Sequence, residues 1–262
     1  MLNRTLFSRI ATATLFTALT TATIVNAKEI DRSFTVSEGE TLTVKTDAGS
    51  IEILTHNRDS IDVNAKIEGS QEDEFDVSFD VGSDGLTIIG QRENGHGWGW
   101  NSLKVKYEIT VPRRYNLDLD TSGGSIEIED IIGEIRVRTS GGSISVGDVE
   151  GDVSLHTSGG SIRTEDIMGE IDAHTSGGSI SVTFAQQPQE DASLTTSGGS
   201  ITARLPSDVA IDIDASTSGG RVKSEFDVSG KVKKQRIRGK INGGGPELEL
   251  HTSGGSVRVE KI

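Results

Sequence analysis

The sequence has no cysteine, only four prolines and only 4% aromatic residues in 262 positions. Without cysteine there is no disulfide framework, no thiolate metal site and no cysteine nucleophile. Apolar residues make up 33% of the chain, which is lean for a large aromatic-rich core. The formal net charge of −14 argues against nucleic acid as a partner. No H-E-x-x-H, G-x-S-x-G or P-loop pattern occurs, so no familiar catalytic constellation is in view. What the chain does have is glycine, 32 residues of it. With so little proline this is neither collagen nor a proline-rich disordered tract.

The first 27 residues read as an address. Arg4 and Arg9 precede a Thr- and Ala-rich apolar stretch, and V-N-A closes it with small residues where a signal peptidase cuts. Residues 1–27 are therefore expected to be a secretory signal peptide, cleaved after Ala27. Its removal leaves 24 basic against 40 acidic residues, a net −16. No later segment has the length and apolarity of a transmembrane helix. The expected mature protein is soluble and exported, periplasmic or at the cell surface.

The glycines mark a repeat. T-S-G-G starts at Thr121, Thr139, Thr157, Thr175, Thr196, Thr217 and Thr252, and T-D-A-G-S-I at Thr46 is a degenerate copy. The first four starts are 18 residues apart, and each unit splits into halves of nine, such as TSGGSIEIE and DIIGEIRVR. Each half is a turn followed by a short strand with period-2 alternation. Asp followed three residues later by Gly suits a type I turn, and glycine at the corners is expected to spare the turns a Cβ penalty. The pattern predicts an all-β fold: a single-stranded β-solenoid of 18-residue coils, two short strands per coil and about seven coils.

Alternation points Ile126, Ile144, Ile162, Ile180 and Ile201 inward as one column. Ile135, Val153 and Ile171 form another, and Val137, Leu155 and Ala173 a third. A core this narrow is expected to exclude large aromatic rings. Two units are 21 residues long, and their extra residues carry Pro188 and Pro206, as lengthened loops should. Residues 28–118 alternate as strands in a less regular arrangement, read as an N-terminal β cap. Residues 119–262 are read as the solenoid, the two together forming one continuous unit. The final INGGGPELELHTSGGSVRVEKI is read as the last coil.

VPRRYNLDLDTSGGSIEI, the tandem T-S-G-G-S-I units and NGGGPELELHTSGGSVRV together resemble the bacterial "putative adhesin" family of exported proteins. The resemblance implies a β-solenoid domain and brings no catalytic residues. GHGWGW departs from the family pattern.

Several residue sets are candidates for chemistry. Asp130, Asp148 and Asp166 stack at one corner, with Glu134, Asp152 and Glu170 beside them. Carboxylates about 4.8 Å apart repel by roughly 1 kcal/mol per pair even in water, and a calcium ion would relieve that. Turn formation already explains Asp at this place, so no cofactor is assigned, calcium being the one cation the columns suit. His156 and His174 share an outward column, and His251 has the same local place. Trp98 and Trp100, in Gly95 to Trp100, are candidates for stacking on sugars or meeting a membrane interface. Lys231, Lys233, Lys234, Arg236 and Arg238, followed by Lys240, form a basic stretch suited to phosphate groups or anionic glycans. Thr121, Thr139 and Thr157 form a column whose hydroxyls are expected to satisfy backbone groups at the turns.

The expected function is a non-enzymatic, adhesin-like protein of the envelope or cell surface that binds a glycan or protein partner. A structural envelope scaffold without a specific ligand is the alternative, and a polysaccharide-active solenoid enzyme the third reading.

Overall fold

A computed structural model describes residues 27–69, 72–92 and 103–262. The expected signal peptide up to Asn26 and the Gly95–Trp100 segment, with Trp98 and Trp100, lie outside the described residues.

The first third of the chain contributes β1 (Ala27–Thr35), β2 (Thr41–Thr46), β3 (Ser50–His56), β4 (Ser60–Glu68), β5 (Phe75–Gly82), β6 (Gly85–Arg92) and β7 (Lys104–Pro112). The regular repeats follow as β8 (Asn116–Thr121), β9 (Ile126–Ile128), β10 (Ile131–Ile132), β11 (Ile135–Thr139), β12 (Ile144–Val146) and β13 (Val149–Glu150). They continue as β14 (Val153–Thr157), β15 (Ile162–Met168), β16 (Ile171–Thr175), β17 (Ile180–Thr183), β18 (Ala192–Thr196) and β19 (Ile201–Leu205). The last third holds β20 (Ile211–Thr217), β21 (Val222–Ser224), β22 (Ser229–Lys233), β23 (Arg236–Ile241), β24 (Glu247–Thr252) and β25 (Val257–Lys261). The only helix among the described residues is the short 3-10 turn Glu72–Glu74, and none is long and apolar enough to cross a membrane.

These strands form two long sheets, one of 13 and one of 12 strands, here sheet A and sheet B. Each coil places one strand in each sheet, and successive coils pair in parallel and in register. Ile126, Ile144 and Ile162 are direct partners, as are Ile135, Val153 and Ile171. All of these are buried, so the predicted columns form the core. No coil could bury enough apolar surface alone to offset its ordering entropy of about 1–2 kcal/mol per residue, and stacking supplies the remainder.

The order of coils in space differs from their order in the chain. The coil made by β24 and β25, last in sequence, is inserted between β18/β19 and β20/β21. At the other end β2/β3 lies between β6/β7 and β8/β9. The stack is thus nine rungs long: β6/β7, β2/β3, five coils from β8/β9 to β18/β19, then β24/β25 and β20/β21. Two rungs lie within residues 28–118, and position 118 falls inside β8. Antiparallel strands finish the stack: β1, β4 and β5 at the N-terminal end, and the β22–β23 hairpin at the other.

Two further expectations are corrected. In three coils the D-x-x-G corner contains a third short strand, β10, β13 and the end of β15, which pair with one another. Ile131, Val149 and Ile167 point inward there, adding a core column. Large rings also enter the core: Phe75, Tyr107, Tyr115 and Phe184 are fully buried. Phe75, Tyr107 and Tyr115 lie in the irregular first third, and Phe184 opens the loop of a lengthened coil, so aromatics fit where the 18-residue period is broken.

The T-S-G-G corner is held by a buried polar ladder. Thr157 Oγ1 donates to the carbonyl oxygen of Gly142, one rung away, at 2.8 Å, and accepts the N–H of Gly160 at 3.3 Å. Thr139, Thr175, Thr196, Thr217 and Thr252 repeat the bond to a neighbouring rung. The two glycines of a corner have different reasons. A Cβ on Gly141 would meet nothing within 4 Å, whereas one on Gly142 would lie 1.9 Å from the carbonyl oxygen of Gly124. Gly142 does not have a positive φ, so the close approach of neighbouring rungs requires glycine there, and relief of turn strain does not.

Candidate functional site

On the outer face of sheet B the register aligns side chains from rung to rung into lanes. One lane runs Thr43, Asp118, Arg136, Ser154, Asp172, Ser193, Glu249 and Asp214. The next, two residues further along each strand, runs Lys45, Asp120, Arg138, His156, His174, Thr195, His251 and Ser216. Alternation along each strand aims both lanes at solvent, while the residues between them fill the core.

The first lane forms the floor of an open groove of about 400 Å³. Asp118, Arg136, Ser154 and Asp172 line it, and Glu134, Asp152 and Glu170 stand along one flank. Arg136 sits between Asp118 and Ser154 in register, yet among the described residues it makes no ion pair. Asp118 and Asp172 are likewise unpaired there. The groove therefore presents one guanidinium and several carboxylates to solvent at a repeat of about 4.8 Å. Sequence reading passed over Arg136, Asp118 and Asp172. Their signal was the outward phase of each strand combined with the 18-residue register.

The register stacks the acidic columns from rung to rung, and the backbone uses them. Asp130 Oδ1 accepts the N–H of Asp148 at 3.0 Å, and Asp148 Oδ1 accepts that of Asp166 at 3.1 Å. Asp152 Oδ1 accepts the N–H of Glu170 at 3.1 Å, and Asn116 Oδ1 that of Glu134 at 2.9 Å. A carboxylate that receives an N–H from the next rung has part of its repulsion with its neighbours offset. Among the described residues no group of three or more His, Asp or Glu side chains is arranged to hold a metal ion.

His156 and His174 stack with ring centroids 4.9 Å apart and planes 16° apart. His251 is separated from them by Thr195, and its Nδ1 lies 3.0 Å from Ser216 Oγ. The structure divides the basic stretch in two. Arg236 and Arg238 reach Asp214 at 2.8 and 3.6 Å, and Lys240 reaches Asp212 at 3.2 Å. Lys231, Lys233 and Lys234 have no acidic partner among the described residues.

Several solved structures are similar to the chain at low sequence identity. A "putative cell adhesion protein" from Clostridium sporogenes is 13% identical, with 90% of this chain and 100% of that one covered and a TM-score of 0.44. A "putative adhesin" from Bacteroides fragilis is 12% identical over 90% and 97% of the two chains, with a TM-score of 0.34. A "putative lipid binding protein" from Parabacteroides distasonis is 14% identical over 91% and 98%, also at 0.34. No curated protein matches the chain. The family profile described as Toastrack DUF4097 matches residues 39–168 and again 132–260, and the chain belongs to that family.

Proposed function

We propose that this is an exported, non-enzymatic protein of the cell envelope or surface, whose sheet B groove binds an extended, hydroxyl-rich glycan. The observation that carries the reading is the set of unpaired charged side chains in one lane of the groove, Asp118 and Arg136 on adjacent rungs and Asp172 two rungs further on, beside the flank of Glu134, Asp152 and Glu170. A chain of sugars lying across the rungs would offer hydroxyls to successive carboxylates and to the guanidinium, and charged partners strengthen such hydrogen bonds. The carboxylate-rich flank repels an anionic polymer and favours a neutral or amine-bearing one. The acids recur with the coil and do not form a singular acid–base pair, which supports binding over cleavage. Export rests on the reading of residues 1–27.

The test is calorimetric titration and array binding of the mature chain with neutral, amine-bearing and anionic oligosaccharides. Binding of the first two classes, weakened about tenfold (1.4 kcal/mol) by Arg136→Ala or Asp172→Ala, supports the proposal. Absence of glycan binding, binding unaffected by both substitutions, or release of reducing ends on incubation contradicts it.

A further inference from the structure

The two free edges of sheet B are β5 and β22. Among the described residues each pairs with one strand only, β6 and β23 respectively, and on β5 the Phe75 carbonyl also accepts a bond from Lys28 Nζ at 3.1 Å, which leaves the rest of that edge open. An edge strand with unpaired N–H and C=O groups is a template for another strand. These two edges are opposite in charge. From Ser70 to Gln91, around β5, the sequence has no basic residue, and Asp76 and Asp80 project from the exposed face of the strand. From Ser229 to Asn242, around β22, it has no acidic residue, and Lys231 and Lys233 are exposed and unpaired among the described residues.

The edges also match in apolar character. Val81 on β5 and Val232 on β22 are 56% and 62% exposed, the two most exposed large hydrophobic residues among those described. Both point to the core side of the sheet, where Val81 partners buried Leu86 and Val232 partners buried Ile237. We propose that β22 of one copy adds to β5 of the next, so that sheet B continues from molecule to molecule in a head-to-tail array.

The register supports this contact in detail. Asp80 and Lys231 stand at opposite ends of the same lane, the lane of Arg136 and Asp172. A second copy stacked with lanes continuous therefore sets Lys231 against Asp80, with Lys233 diagonal to Asp76 and Asp80. On the core side, Val232 comes against Phe79 and diagonal to Val81. β5 runs opposite to the rung strands and β22 runs with them, so translation alone brings the two edges together antiparallel, the pairing with the shorter and better aligned bonds. A contact between two different patches does not close on itself and propagates as an open array. Like charges along each edge oppose β5–β5 and β22–β22 pairing, which leaves the unlike pair as the favoured one.

Sedimentation velocity of the full mature chain tests this. The expected result is a weight-average sedimentation coefficient that rises with protein concentration at low ionic strength and falls toward the monomer value in high salt. Lys231→Glu with Lys233→Glu, or Asp76→Lys with Asp80→Lys, should each give a monomer with an unchanged melting temperature. An equimolar mixture of the two variants should associate again, because each then offers the edge the other lacks. Val81→Ser and Val232→Ser should weaken association of the otherwise unaltered chain. The proposal is overturned if the chain stays monomeric at every concentration, including the case in which the basic hairpin binds anionic vesicles or polyanionic glycans. It is equally overturned if either charge-reversed variant associates like the parent, or if mixing restores nothing. None of these outcomes depends on what the groove binds.

Discussion

Thr157 Oγ1 and the carbonyl oxygen of Gly142 lie 2.8 Å apart across two rungs, the threonine fully buried and the glycine half-buried. The bond belongs to the T-S-G-G ladder and satisfies a carbonyl that the sheets leave unpaired. Thr157→Val keeps the shape and removes the hydroxyl, leaving that carbonyl unsatisfied. A loss of about 1–3 kcal/mol is expected in denaturant unfolding, and Thr157→Ser should recover part of it.

Thr164 provides the opposite case. It occupies an inward column, in register with Val146, and its buried hydroxyl has no hydrogen-bond partner. Thr164→Val should therefore stabilise the protein by about 1 kcal/mol or more. The same substitution type thus has opposite signs at two buried threonines, which equilibrium unfolding of the two variants checks directly.

The two glycines of one corner should separate just as clearly. Gly142→Ala places a methyl group where the Gly124 carbonyl oxygen already is, and the rungs must part; a loss of about 3 kcal/mol is expected. Gly141→Ala points into open space and should stay within about 0.5 kcal/mol of the parent. Comparable losses at both positions would refute close stacking as the reason for the second glycine.

The only two tyrosines of the chain are both fully buried. Burial pushes the Tyr107 phenol up from 10.0 to about 12, and its bond to Thr46 Oγ1 at 3.2 Å opposes that only in part. Tyr115 is raised further, by burial and by the carboxylate of Glu40 beside it. A phenol that keeps its proton when folded and loses it when unfolded leaves stability unchanged below pH 10 and lowers it above. Tyr107 alone should cost about 2–3 kcal/mol by pH 12. Spectrophotometric titration of the folded protein should show almost no phenolate at pH 10, where a free tyrosine is half ionised, with Tyr107 ionising only toward pH 12 and Tyr115 later, whereas unfolding at pH 11 should release both at once.

The residues that were legible in the sequence are those whose reason is local. The Ile126, Ile144 and Ile162 column follows from period-2 alternation and an 18-residue repeat, and so do the stacked imidazoles of His156 and His174. The order of rungs was not legible, because one T-S-G-G corner stacks on another equally well whatever its place in the chain. The β22–β23 hairpin and the Asn242–Gly245 turn carry the chain back so that β24 enters ahead of β20, and no local pattern encodes that. The basic stretch read as one patch because Asp212 and Asp214, which bind Arg236, Arg238 and Lys240, lie more than twenty residues away. Of that stretch Lys231, Lys233 and Lys234 have no acidic partner among the described residues, and Lys231 and Lys233 lie on an edge that sequence alone could not identify as an edge.

The chain has no cysteine, so introduced pairs report on the rung order without background. Thr195 and His251 are register partners, whereas Thr195 and Ser216 are separated by the inserted β24 and stand about 9.6 Å apart, two strand spacings. Mild oxidation of the folded protein carrying Thr195→Cys and His251→Cys should close a disulfide rapidly, while Thr195→Cys with Ser216→Cys should stay reduced, since bridged cysteines need Cα atoms within about 7 Å. The reverse pattern, with Thr195 and Ser216 cross-linking and Thr195 and His251 not, would mean that the coils stack in chain order and that the interleaved end is wrong.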